Sequence, residues 1–319
     1  MRVAVIGTGG VGGLYGGLLA RAGHQVSLLA RGEHLRAIQQ HGLRIQSAQF
    51  GTFAVQPEAA SDDPHELGSA DLVLFAVKTY DVDTAAEAAG QTMAEHSCLL
   101  PFQNGIDTPD RLADILGNDR VLIGTTGLET TILEPGLIGH LSSWHFVNIG
   151  ALHGPPSPQV NHVVETLRGA GINAVEVADG HRALWEKASS LLPMATITSV
   201  CRAPMGPIRD LPETQRLIDQ LIDEVSAVAS ACGYDLPEAT ERARRTISAW
   251  AYDGTASMAR DFERGNRTEL EALTGALVRL ADTRGVDVPT ARMAYALLKL
   301  RQRLESPPEK GVGTGAAWR

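Results

Sequence analysis

Near the start of the chain, Gly7-Thr8-Gly9-Gly10-Val11-Gly12 places glycines at the spacing G-x-G-x-x-G. The run follows the apolar stretch Val3–Ile6 at once and opens a helical pattern, the context that gives this spacing its meaning. Gly7 suits a tight turn, Gly9 lets a diphosphate approach the backbone, and Gly12 lets helix and strand pack closely. The amides of the loop, Thr8, Gly10 and Val11 included, would then face phosphate oxygens at the positive end of the helix. This is dinucleotide-binding chemistry.

The second apolar run ends Leu28-Leu29-Ala30-Arg31. A site for NAD usually carries a carboxylate at this tip to bind the ribose hydroxyls, and none stands here. Arg31 instead offers a planar fork for a 2′-phosphate, so NADPH is the expected cofactor. Glu33, close by, keeps NAD as the alternative.

Three further clusters could carry a reaction. Val77-Lys78-Thr79 follows a buried strand, at the carboxyl edge where α/β sheets bind ligands. Gln103-Asn104-Gly105 follows another strand and reaches the same edge, and Trp185-Glu186-Lys187 opens the first long helical stretch. Lysine, asparagine and arginine groups gathered beside a nicotinamide would bind and polarise an anionic carbonyl substrate. Taken singly, each cluster has an ordinary explanation. Lysines at strand ends are usually solvated, and Asn-Gly is first a turn signal.

The elements that must position these groups follow from the pattern of apolar residues. Short apolar runs alternate with helical stretches up to about Asp179, as in a parallel sheet with crossover helices. Strands are expected at Val3–Ile6, Gln25–Ala30, Asp71–Val77, Ser97–Phe102 and Val121–Gly124, with helices at Gly12–Ala22, His34–His41 and Asp107–Leu116. Leu43–Val55 reads as a hairpin or a pair of edge strands. Gly127–Ile149, with a turn at Glu134–Gly136, reads as an antiparallel tail to the sheet. A helix at Gln159–Ala170 and a last strand at Ala174–Val177 complete a Rossmann dinucleotide-binding domain over residues 1–179.

Beyond it, long amphipathic stretches take over at Trp185–Ser199, Glu213–Cys232, Glu238–Tyr252, Glu269–Arg284 and Thr290–Leu304. Prolines stand at helix starts and glycines at helix ends. The fold class is therefore α/β, with an all-helical C-terminal domain over residues 180–305. The Gly- and Pro-rich residues 306–319 read as a disordered tail.

Composition sets limits. The 319 residues suffice for two domains, and acidic side chains outnumber basic ones, 37 against 28. That balance argues against nucleic-acid and anionic-membrane surfaces. No secretory signal and no membrane-spanning stretch is evident, so a cytoplasmic protein is expected. Cys98, Cys201 and Cys232 have neither metal-ligand nor disulfide spacing, and the histidines His140, His145, His153 and His162 lack ligand spacing. No metal is expected. No serine or cysteine stands in a Gly-x-Ser-x-Gly context that would suggest a nucleophile.

From Met1 to about Leu304 the sequence resembles the ketopantoate reductases, also called 2-dehydropantoate 2-reductases. The resemblance is carried by the glycine loop with Arg31, Val77-Lys78-Thr79, Gln103-Asn104-Gly105 and Trp185-Glu186-Lys187, then by Ser257-Met258, Asp261 and Thr268-Glu269. It implies an NADP-dependent oxidoreductase of pantothenate biosynthesis that reduces a 2-keto acid. It also implies roles: Lys187 as general acid, Glu269 orienting the reacting group, Ser257 on the substrate carboxylate. Asn104 and Lys78 would line the nicotinamide and ribose side, with Asn104 also meeting substrate. Either a monomer or a homodimer is compatible with it.

The sequence departs from that family at two positions. Members usually carry asparagines four and eight residues after the lysine, and here Leu191 and Ala195 stand there, with Pro193 between them. Each lost hydrogen bond to a buried polar substrate would cost about 1–3 kcal/mol, which points to a less hydroxylated 2-keto acid. Ser189, Ser190 and Thr196 are polar, but on other faces of the helix. The alternatives are a β-hydroxyacid, opine- or imine-type dehydrogenase on the same scaffold, or a non-catalytic NADPH-binding sensor. Dependence on an added amine would mark the opine type, and binding without turnover the sensor.

Overall fold

The computed structural model describes residues 1–305, so the tail expected at 306–319 lies outside the described residues. In chain order the first elements are β1 (Arg2–Ile6), α1 (Gly10–Arg21), β2 (Gln25–Leu29), α2 (Gly32–His41), β3 (Leu43–Ser47) and β4 (Gly51–Val55). Next come β5 (Ala59–Ser61), β6 (Ala70–Phe75), α3 (Val82–Thr92), β7 (Met93–Pro101), α4 (Thr108–Leu116) and β8 (Leu122–Gly127). Then follow β9 (Thr130–Glu134), β10 (Leu137–His140), β11 (Phe146–Ala151), α5 (Pro158–Gly169), β12 (Ala174–Glu176) and α6 (Gly180–Cys201).

Runs buried on both faces, such as Val3–Ile6 and Leu72–Phe75, satisfy their backbone by parallel pairing under helices. They form a five-stranded parallel sheet in the order β5-β2-β1-β6-β7. The chain steps one way from β1 to β2 and the other way to β6. Such a switch point leaves a crevice at the carboxyl ends of the strands, the usual ligand site of open α/β sheets.

The stretch expected as an antiparallel tail instead divides between two further sheets. β9 and β10 pair antiparallel about the expected turn, but β10 then pairs parallel with β3, giving the order β4-β3-β10-β9. β8 and β11 pair antiparallel, with β12 added parallel at the edge of β11. Alternation announces a half-buried strand but not its neighbour, and the β10 partner lies far back in the chain.

α1 is held between two of these sheets, and its glycines are the reason that it fits. A Cβ on Gly16 would meet Val5 Cγ2 at 2.9 Å, on the main sheet. On Gly13 and Gly17 it would meet Ile138 Cγ1 at 2.7 Å and Ile45 Cγ1 at 3.1 Å, on the second sheet. Each glycine costs roughly 0.5–1 kcal/mol of helix propensity, which close packing on both sides offsets.

The chain divides into compact units at Ala188–Ser189. The division expected after Asp179 falls at the start of α6, a helix that begins in the first unit and ends in the second. Beyond α6 come α7 (Met205–Asp210), α8 (Pro212–Ala231), α9 (Pro237–Ser248), α10 (Ser257–Glu263), α11 (Thr274–Arg284) and α12 (Pro289–Glu305). Among the described residues this unit holds no strand, as expected.

The short helices α7 and α10 and, in the first unit, α3 escaped the periodicity. α9 stops at Ser248 rather than Tyr252 because Arg209 Nη1 donates to the carbonyls of Ile247, Ser248 and Trp250, at 2.8, 2.8 and 2.7 Å. Glu224, buried on α8, accepts the Thr290 and Ala291 amides at 2.8 Å each and so caps α12 from outside the helix. No described helix is long and apolar enough to cross a membrane.

Of two buried histidines in the first unit, His145 ties two sheets together and His140 binds within one of them. His145 Nε2 accepts the Asn173 amide at 2.8 Å, so its Nδ1 must carry the proton donated to Gln49 Oε1 at 2.9 Å. His140 Nδ1 lies 2.9 Å from Ser47 Oγ. Burial pushes both pKa values down, and His140 adds repulsion at His145. The unfolded chain therefore takes up these protons first. The stabilisation is complete above about pH 6.5 and is lost as pH falls through the lower folded values. The thermal midpoint of the protein should drop on acidification below this point, and less steeply for His145→Gln. Parallel curves for the two proteins would contradict this.

Candidate active site

β1 delivers the glycine loop to the switch point. Gly7 has φ +97°, and a Cβ there would meet Val77 N at 2.7 Å and Ala76 C at 2.8 Å, on the segment leaving β6. Gly12 is wedged likewise: a Cβ would press on the Gly7 carbonyl oxygen and lie 2.9 Å from Val5 Cγ1. Gly9 is the opposite case, with nothing within 4 Å of where its Cβ would be. Gly10 is backed by Thr130 of β9, whose Oγ1 would lie 2.6 Å from an added Cβ.

The helix ladder begins with the Gly13 amide on Gly9 O at 2.7 Å, so the amides of Gly10, Val11 and Gly12 precede it. No acidic residue stands in the first turn of α1, and no side chain caps it. An open, uncapped helix start suits a diphosphate. Thr8 is used differently: its amide and its Oγ1 both donate to Leu29 O, at 3.2 and 2.9 Å, tying the loop to the end of β2. Just beyond that end, Arg31 precedes α2, exposed and without a side-chain hydrogen bond or ion pair among the described residues. Glu33, also exposed, lies in the first turn of α2.

The segments leaving β6 and β7 are bound to each other. The Phe102 amide donates to Phe75 O at 2.9 Å, and Gln103 Nε2 donates to Phe75 O and Val77 O, both at 3.0 Å. Lys78 follows, exposed. Asn104 comes next after Gln103, and its Oδ1 accepts from Lys187 Nζ at 2.8 Å. Leu184 and Trp185, each 5% exposed, bury the first turns of α6 and leave Lys187 half-buried. The first unit thus brings two residues 83 positions apart into direct contact. Both partners are candidates on sequence, whereas Gln103 has no expected role. Its signal was its place, between a buried strand and Asn104.

In the second unit Ser257 is the first residue of α10, with Met258 buried behind it and Asp261 half-buried one turn on. Glu269, 6% exposed, precedes a turn in which the Ala272 and Leu273 amides donate to its carbonyl. The helix expected from Glu269 therefore starts only at Thr274. Thr268 Oγ1 donates to Gln302 Oε1 at 2.8 Å, which fixes this segment to α12. On α6, Leu191 is half-buried and Ala195 is 1% exposed. Thr196 pairs with the Thr274 hydroxyl at 2.8 Å. Among the described residues no group of three or more His, Cys, Asp or Glu could hold a metal ion.

Comparison with known proteins gives two family models, ketopantoate reductase PanE/ApbA over residues 3–154 and its C-terminal counterpart over residues 179–302. A 2-dehydropantoate 2-reductase of Halobacterium salinarum is 32% identical over 304 residues, 95% of this chain and 99% of that protein. A crystal structure of a PanE/ApbA family ketopantoate reductase from Ralstonia eutropha superposes with TM-score 0.88 at 32% identity, over 96% of this chain and 99% of that one. D-mandelate dehydrogenase, solved with NADH and anilino(oxo)acetate, shares the fold, with TM-score 0.86 at 19% identity over 96% of this chain and 99% of that one.

The loop glycines separate by what surrounds them. Gly12→Ala forces a methyl against backbone and should cost about 1–3 kcal/mol, lowering the thermal midpoint by about 3–8 °C. Gly9→Ala meets nothing and should leave it within about 2 °C. Equal midpoints, measured by differential scanning calorimetry, would contradict the packing described.

Proposed function

This chain belongs to the ketopantoate reductase family, and from that premise we propose that it is an NADPH-dependent reductase of a 2-keto acid. The observation that carries the reading is the Lys187 Nζ to Asn104 Oδ1 hydrogen bond, made at the carboxyl edge of the sheet to which β1 also delivers the glycine loop. In this reading Gly7, Thr8, Gly9, Gly10, Val11 and Gly12 form the loop that holds the diphosphate. Arg31 takes the 2′-phosphate that distinguishes NADPH, and Lys78 and Asn104 line the nicotinamide and ribose side.

The reduced nicotinamide, when bound, supplies the hydride. As charge develops on the substrate's carbonyl oxygen, the Lys187 ammonium stabilises it and transfers a proton to it. Asn104 Oδ1, accepting from Nζ, fixes the direction of the ammonium. Ser257 binds the substrate carboxylate and Glu269 orients the reacting group.

The substrate side favours something other than ketopantoate. Leu191 and Ala195 offer no hydrogen bond to a hydroxylated side chain, and Thr196 is paired with Thr274. Removing two partners of a buried polar substrate costs about 1–3 kcal/mol each, and an apolar side chain avoids that cost. The proposed substrate is a 2-keto acid with a mainly apolar side chain.

NADPH oxidation against ketopantoate and a panel of apolar 2-keto acids tests this directly. The expected kcat/KM is higher for apolar acids, and NADPH is preferred over NADH. Arg31→Ala should raise the KM for NADPH about tenfold or more and leave that for NADH nearly unchanged. A clear preference for ketopantoate would overturn the substrate reading. Tight NADPH binding without turnover of any acid would replace the enzyme by a sensor.

A further inference from the structure

We infer that Gln103 is a positioning residue for proton delivery: it holds Asn104 in place and, through Asn104, the ammonium of Lys187. The inference rests on the reading of Lys187 as the proton donor. Gln103 is 6% exposed, and its Nε2 donates to Phe75 O and Val77 O, both at 3.0 Å. A carboxamide NH2 has two hydrogens at a fixed angle. Two carbonyls two residues apart therefore set both its position and its plane. The Phe102 amide donates to the same Phe75 O at 2.9 Å, so both residues before Asn104 are bound to the end of β6. Asn104 leaves this double attachment with little freedom, and its Oδ1 receives Lys187 Nζ at 2.8 Å.

The other end of the Gln103 side chain sharpens the case. Oε1 is buried and has no hydrogen-bond partner among the described residues. Burying an unmatched acceptor is unfavourable, so packing alone would prefer an apolar side chain of the same length. What the carboxamide contributes is its NH2 group. That group joins the segment carrying Lys78 to the segment carrying Asn104, and it satisfies the Val77 carbonyl at the same time.

The test compares full-length wild type with Gln103→Met, Asn104→Ala, the double variant and Lys187→Ala, each with NADPH and the best 2-keto acid. Gln103→Met keeps length and loses the donors. It should lower kcat about tenfold to hundredfold, a larger factor than any rise in the KM for NADPH. The basic limb of the kcat–pH profile should move to lower pH, because an ammonium that loses a well-placed acceptor gives up its proton more readily. The double variant should be no slower than Asn104→Ala alone, since both act through one contact. Gln103→Glu, which sets an oxygen against the two carbonyls, should behave like Gln103→Met and serves if the methionine variant does not fold. Wild-type kcat in Gln103→Met, losses that multiply in the double variant, or a KM for NADPH that rises by more than kcat falls would each overturn the inference. Lys187→Ala turning over at the wild-type rate would instead remove the functional reading beneath it.

Discussion

Where parallel strands leave a sheet, their last carbonyls lose the ladder that satisfied them, and each must find another donor. At the carboxyl edge here, three such carbonyls tie together segments that build the site. Leu29 O takes Thr8, Ile6 O takes the Ala76 amide, and Phe75 O takes Phe102 and Gln103. The glycine loop, the Lys78 segment and the Asn104 segment are therefore set relative to one another by backbone need, before any ligand arrives. Pre-setting polar groups in this way is what makes them effective against a developing charge.

The same edge explains why glycine is so frequent in α1. The helix must lie close to the main sheet to bring its first amides to the switch point, and the β3–β10 sheet covers its other side. Side chains on Gly13, Gly16 or Gly17 would push the helix from one sheet or the other, and the loop would move with it. The glycines sacrifice helix propensity for position. That trade is intelligible only with both sheets in place.

Much of this was legible in the sequence. The buried runs at Val3–Ile6 and Leu72–Phe75 announce strands covered on both faces, and the glycine spacing between strand and helix announces the loop. Asn104 and Lys187 stood out because each follows or opens an element that ends at one edge. Their direct contact was not legible, since nothing local connects residues so far apart. The β10–β3 pairing was hidden for the same reason. α3, α7 and α10 escaped because short or alanine-rich helices carry weak periodicity. The turn that delays α11 to Thr274 was hidden by the polar pair Thr268-Glu269, which is buried there rather than on a solvent face.

The most direct test of proton delivery by Lys187 is chemical rescue of Lys187→Ala by small alkylammonium ions, followed as the rate of NADPH oxidation at saturating 2-keto acid. Addition of the amine should restore part of the lost turnover in proportion to its protonated fraction and leave wild type unaffected. Full turnover of the variant without amine, or stimulation of wild type and variant alike, would contradict a role for Lys187 as the proton donor.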